Sequence, residues 1–127
     1  MFAQLKKFVY AHGVSGDEED ISSVIASDIA PYVDKVYTDA MGNLIAFKKG
    51  KGENPKKLMF AAHMDEIGFM VSFIDDKGYL RVSKMGGINY NAAAFSEVEF
   101  KNGTRGVIVP DARTAAKDFR PEVFYVD

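Results

Sequence analysis

The chain has 127 residues, 47% of them apolar and 27% charged, which suits a globular domain with one core and excludes a disordered scaffold. Sixteen basic residues stand against eighteen acidic ones, scattered rather than gathered in a stripe, so the net charge of −2 gives no footprint for nucleic acid. Cysteine is absent, which removes disulfides, thiolate nucleophiles and sulfur metal sites; no run reaches the ~20 apolar residues of a membrane span, and the expectation is a soluble cytoplasmic protein.

Phe2, Leu5, Phe8 and Val9 recur at helical spacing, so residues 2–11 are expected to form a short amphipathic helix that Gly13 stops. His12, near its end, is read as a structural cation at the helix C-terminus. Ser15-Gly16-Asp17-Glu18 has the form of a capping box. Acidic Asp17 to Asp20 then suit the start of a second helix, whose stripe of Ile21, Val24, Ile25 and Ile29 runs to Pro31.

From Val33 the period changes. Val33–Thr38 and Leu44–Lys48 read as two strands joined by Asp39-Ala40-Met41-Gly42-Asn43. A polar loop over 50–55 leads into Leu58-Met59-Phe60-Ala61-Ala62, a continuous apolar run expected to be a strand buried on both faces. Helices feeding such a strand imply an α/β layer.

The second half reads as β structure, with strands expected at Phe69–Ile74, Tyr79–Ser83, Phe95–Phe100, Thr104–Val109 and Val123–Val126. Asp76-Lys77-Gly78 and Lys101-Asn102-Gly103 supply hairpin turns. A small β-barrel or sandwich is expected, with a boundary near Glu66–Gly68. The domains are then 1–66, an α/β portion, and 67–127, a partial β-barrel. Both halves read as pieces of something larger, since a single buried strand does not make an open sheet.

One dense polar cluster lies in an apolar setting: His63-Met64-Asp65-Glu66, just after the expected buried strand, where open α/β sheets place ligand sites. Neutral imidazole is a good ligand for Zn²⁺ or Co²⁺, and a carboxylate two residues on can hold the ring's other nitrogen. His-x-Asp is a short pattern, however, and a strand end whose His and Asp pair with loop amides stands beside the metal reading. Gly86-Gly87 lacks the strand-then-helix context of a phosphate loop, and the serines have no histidine with which to build a triad.

The segment Ala61-Ala62-His63-Met64-Asp65-Glu66-Ile67-Gly68-Phe69-Met70-Val71 resembles the signature of the glutamyl and deblocking aminopeptidases, tetrahedral dodecameric dinuclear metallopeptidases, some of which carry endoglucanase labels. Gly13-Val14-Ser15-Gly16-Asp17-Glu18 and Asp39-Ala40-Met41-Gly42-Asn43-Leu44-Ile45 are similar to two further motifs of that family in the same order. The resemblance implies an α/β catalytic domain interrupted after His-x-Asp by a β-barrel insertion. It implies His63 as a metal ligand, Asp65 as the catalytic-centre carboxylate that orients His63, and two divalent ions, Zn or Co, in the complete enzyme with at most one partial site here. By the same likeness a metal-bridged water, activated by a Glu, attacks the first peptide bond of a peptide substrate. The bridging Asp, the catalytic Glu and the other ligands lie beyond Asp127 in that pattern, so these 127 residues are expected to be inactive alone. Asn91–Val98 departs from the family in lacking a Gly-Gln pair before the next strand. A homo-oligomer, no nucleic acid and no membrane complete the expectation. A related dinuclear deacylase, or a stand-alone binding or assembly module built on the β half, are the alternatives.

Overall fold

A computed structural model describes residues 1–110 and, beyond them, the backbone of a strand at Pro121–Tyr125. The chain divides into two compact units, Met1–Asp65 and Glu66–Asp127.

The first unit opens with α1 (Phe2–Val9), whose last turn carries Lys6 and Lys7, cations that suit the negative end of the helix. His12 lies beyond the end of this helix rather than on it, because the helix stops two residues sooner than its apolar period suggests. Next comes α2 (Glu19–Ile29), with Glu19 and Asp20 in its first turn, followed by a 3-10 turn at Ala30–Tyr32 that Pro31 initiates. Lys7 pairs with Asp28 between the helices, an exposed ion pair of small energetic weight. Ile21 is the buried residue of α2. A Cβ at Gly13 would sit 2.8 Å from its Cγ2, so the absence of a side chain at 13 is what lets the segment entering α2 lie against Ile21.

The expected capping box does not form. No side chain caps α2; the Glu18 carboxylate turns back to accept from the Gly16 amide at 2.7 Å, and the Ser15 hydroxyl is engaged elsewhere. The amide of Ile21 is satisfied instead by the His12 carbonyl at 3.1 Å. Strands β1 (Lys35–Thr38) and β2 (Leu44–Phe47) then pair antiparallel, from Lys35 opposite Phe47 to Thr38 opposite Leu44.

The larger correction concerns Leu58–Ala62. This run forms no strand, and Leu58, Met59 and Phe60 are 81%, 91% and 93% exposed. A strand buried on both faces needs a hydrogen-bonded neighbour on each side and a layer above and below. Among the described residues of this unit the only sheet is the β1–β2 pair, and the run joins it at neither edge.

The second unit is an antiparallel sheet of β3 (Gly68–Ile74), β4 (Leu80–Met85), β5 (Glu97–Glu99), β6 (Arg105–Pro110) and β7 (Pro121–Tyr125), in the order β3-β4-β7-β6-β5. Of the last expected strand, Val126 lies outside the described residues. Among the described residues the edge strands β3 and β5 do not pair, so the sheet is open where closure into a barrel was expected. Its hairpins follow from turn chemistry. Asp75 accepts from the amides of Lys77 and Tyr79 at 2.9 and 3.0 Å, and Asn102 accepts from Thr104 at 3.0 Å. Alternation does the rest: Leu80 and Val82 of β4 and Ile108 of β6 face a common core, with Phe69, Ala93, Val98 and Phe100 packed around them.

A short helix α3 (Tyr90–Ala93) leads to Phe95, the one described non-glycine residue with positive φ, at +64°. It falls in the stretch where the expected Gly-Gln pair is missing. The Phe95 amide donates to the Ile108 carbonyl at 2.7 Å and the Ile108 amide donates to Ser96 at 3.0 Å, so pairing with β6 imposes the conformation. A left-handed conformation costs an L-residue about 1–2 kcal/mol, partly offset by the extra backbone entropy that glycine loses on folding. Phe95→Gly is therefore expected to stabilise the protein by roughly 0.5–1 kcal/mol, the ring being largely exposed. The check is the urea midpoint, which should rise at constant slope; a lower midpoint would show that the aromatic ring itself holds the corner.

Candidate functional site

The site belongs to the first unit and is built from three segments far apart in sequence. The segment after Leu58–Ala62 carries His63 and Asp65, the junction before α2 carries Ser15 and Glu18, and the β1–β2 turn carries Asn43. An open hollow of about 400 Å³ is lined by Glu18, Ile25, Met41, Asn43, Leu44, His63 and Asp65. Its walls mix two carboxylates and one imidazole with apolar side chains, a combination suited to a cation held beside an apolar group.

His63 is the exposed member, with 86% of its side chain accessible. Its Nδ1 lies 2.9 Å from Asp65 Oδ1 and 3.1 Å from the Asp65 carbonyl oxygen. Both partners only accept when the carboxylate is ionised, so Nδ1 carries a proton and Nε2 is the nitrogen left for another partner. The other carboxylate oxygen, Oδ2, accepts from the Ser15 hydroxyl at 2.5 Å. The Ser15 hydroxyl, and after it the His63 ring, hold the Asp65 carboxyl below its ordinary 3.8. His63 thus has one ring nitrogen committed to Asp65 and one available. That is the donor set a divalent metal requires of a histidine. Among the described residues no group of three or more His, Asp or Glu gathers around it, so these residues offer one such ligand rather than a full coordination shell.

Asn43 is delivered by a turn organised on one carboxylate. Asp39 Oδ1 accepts from the amides of Met41 and Asn43, both at 2.9 Å, and Oδ2 accepts from Asn43 Nδ2 at 3.0 Å. The Asn43 side-chain bond, followed by the Asn43 backbone bond, lowers the Asp39 carboxyl from its ordinary 3.8. The folded value lies below the unfolded one, so its contribution is present above pH 3.8 and lost as pH falls below it through the folded value. In a carboxyl-detected titration Asp39 should therefore protonate below pH 3.8, with the amides of Met41 and Asn43 shifting together at that point. Titration at or above that value would mean the turn does not depend on the charge.

His12 stands apart from this cluster, its Nε2 3.5 Å from Asp17 Oδ2. Glu66, next to Asp65 in sequence, opens the second unit. Ser15 is the participant that sequence reasoning assigned to another task; the signal that could have found it is that a serine fifty positions away begins the motif preceding α2.

The family model described as M42 glutamyl aminopeptidase matches residues 42–122. A protein of Acetivibrio thermocellus named as a candidate aminopeptidase is 47% identical over the whole chain, which spans 38% of that relative. Among solved structures, a Thermotoga maritima protein described as an endoglucanase is 39% identical with a TM-score of 0.79, covering 92% of this chain and 37% of its own. The TET1 peptidase of Pyrococcus horikoshii, which assembles into a tetrahedron or a large octahedral shell, is 32% identical with a TM-score of 0.74, over 98% of this chain and 40% of its own. The chain therefore spans about two-fifths of the length of these relatives.

Proposed function

Because this chain belongs to the M42 glutamyl aminopeptidase family, we propose that its protein is a metal-dependent aminopeptidase that releases N-terminal residues from peptides. The observation that carries this is the His63–Asp65 pair on the hollow of the first unit, where Nδ1 is held at 2.9 Å and Nε2 is available. In this reading residues 1–66 are the start of the α/β catalytic domain and residues 67–127 belong to a β-barrel insertion, with β3 and β5 completing their pairing in the whole protein. The protein works as a homo-oligomer of the kind formed by the TET1 peptidase, in the cytoplasm.

His63 would hold one of two divalent ions, Zn²⁺ or Co²⁺, and Asp65 would orient it. Metal bound there would supply Lewis-acid polarisation of a peptide carbonyl and an acidified water. The residues of this chain have simpler tasks. Asp65 fixes the Nδ1–H tautomer of His63 and raises the basicity of Nε2. Glu18 and Asp65 put negative charge on the wall of the hollow, which favours a protonated peptide N-terminus over a blocked one. Ile25, Met41 and Leu44 give the hollow its apolar lining.

The test uses the complete protein, stripped of metal and then reloaded. It should release the chromophore from unblocked aminoacyl substrates, fail on the same substrates with an acetylated N-terminus, and lose activity with chelator. Equal cleavage of blocked substrates would exclude an aminopeptidase and favour a deacylase or endopeptidase.

A further inference from the structure

We propose that Ser15 is a positioning residue for His63, acting through the carboxylate of Asp65. The Ser15 hydroxyl donates to Oδ2, and Oδ1 of the same carboxylate receives Nδ1–H of His63. A carboxylate bonded at one oxygen can still swing about its Cβ–Cγ bond, and an imidazole held by it swings too. Bonded at both oxygens, it cannot turn without breaking one of the two. The serine thereby narrows the range of ring orientations from which Nε2 is presented. This rests on the reading of His63 as a metal ligand.

The chain spends local structure on bringing this hydroxyl to its place. The segment around Ser15 is a tight turn, in which the Asp17 amide donates to the Val14 carbonyl at 2.8 Å and the Gly16 amide to Glu18 at 2.7 Å. Gly13 lets that turn pass against Ile21. The task a serine here would ordinarily have, capping the helix that follows, is not performed: α2 starts at Glu19 with no side-chain cap. The hydroxyl faces the carboxylate instead, and the two residues are fifty positions apart.

The experiment compares Ser15→Ala and Ser15→Thr with the wild type in the complete protein. In the metal-free state, ¹⁵N spectra of the His63 ring should show one Nδ1–H tautomer in the wild type and in Ser15→Thr. In Ser15→Ala they should show a mixture or exchange-broadened signals. Zn²⁺ affinity should fall about tenfold in Ser15→Ala, the lower end of the range for groups behind a metal ligand, and return in Ser15→Thr. An unchanged tautomer and unchanged Zn²⁺ affinity in Ser15→Ala would overturn the proposal, and so would a loss confined to melting temperature. If Ser15→Ala does not fold, Ser15→Cys, with a weak S–H donor of similar size, carries the same comparison. His63→Ala separates the two readings: if it leaves Zn²⁺ affinity intact, the metal assignment fails, while the tautomer of His63 in the serine variants still reports on Ser15.

Discussion

Replacing His63 by alanine is expected to lower kcat/KM of the complete protein by at least about a thousandfold, which is about 4 kcal/mol of transition-state stabilisation. Two properties of the residue lead to this. Its Nδ1 is bonded to groups that only accept, so Nδ1 carries a proton and Nε2 is the nitrogen left for a metal. Alanine removes that donor outright, and among the described residues no group of three or more His, Asp or Glu is gathered that could hold the metal without it. The loss should appear in metal content as well, with elemental analysis finding about one ion fewer per chain. Asp65→Asn is the milder variant. An amide can still bond to the ring, but it offers the wrong tautomer a partner and carries no charge, so a loss of about 10–100-fold in metal affinity is expected. His12→Ala serves as the control, since His12 pairs with Asp17 and takes no part in the cluster; its rate should stay within about threefold of the wild type. Activity of His63→Ala within tenfold of the wild type, with full metal content, would remove the centre from this chain.

The largest effect on stability is expected from Ile108→Ala. Ile108 is fully buried, packs with Leu80 and Val82, and sits on β6, the strand between β7 and β5. Its backbone makes both bonds of the corner at Phe95 and Ser96. Truncation to alanine leaves a cavity that rigid neighbouring strands cannot fill, and buried Ile-to-Ala changes cost about 2–5 kcal/mol. For a unit of this size each kcal/mol moves Tm by about 4–8 °C, so a drop of roughly 10–40 °C is expected, with the urea slope unchanged. Ile74→Ala, on an edge strand and 61% exposed, should shift stability by no more than about 0.5 kcal/mol. Equal losses at 74 and 108 would mean that the sheet is not organised around Ile108.

The two variants probe features of different legibility. Ile108 could be assigned to a strand from its neighbours, since Val107 to Val109 follow a Gly-containing hairpin turn. That it is the centre of the core could not be read, because β7 enters the sheet between β4 and β6. Sequence order makes β5 and β6 neighbours through their turn. It carries no mark that a strand beginning at Pro121 joins β4 and β6 together.

The distinction runs through the whole molecule. What the sequence by itself determined were the local elements: the apolar stripes of α1 and α2, the Asp39 turn with its hairpin, the two turns of the β half, and a histidine and a carboxylate two residues apart. Each depends on residues within a few positions of one another, where backbone geometry and side-chain reach leave few choices. What only the tertiary structure decided were the partners. It turned Ser15 from a helix cap into a donor to Asp65, fifty residues away. It placed Asn43 on the same hollow as His63. It left Leu58, Met59 and Phe60 exposed where hydropathy had buried them in a strand. Hydropathy states how much a segment gains by leaving water, but the gain is realised only against a surface of matching shape, and no property of the segment itself supplies that surface.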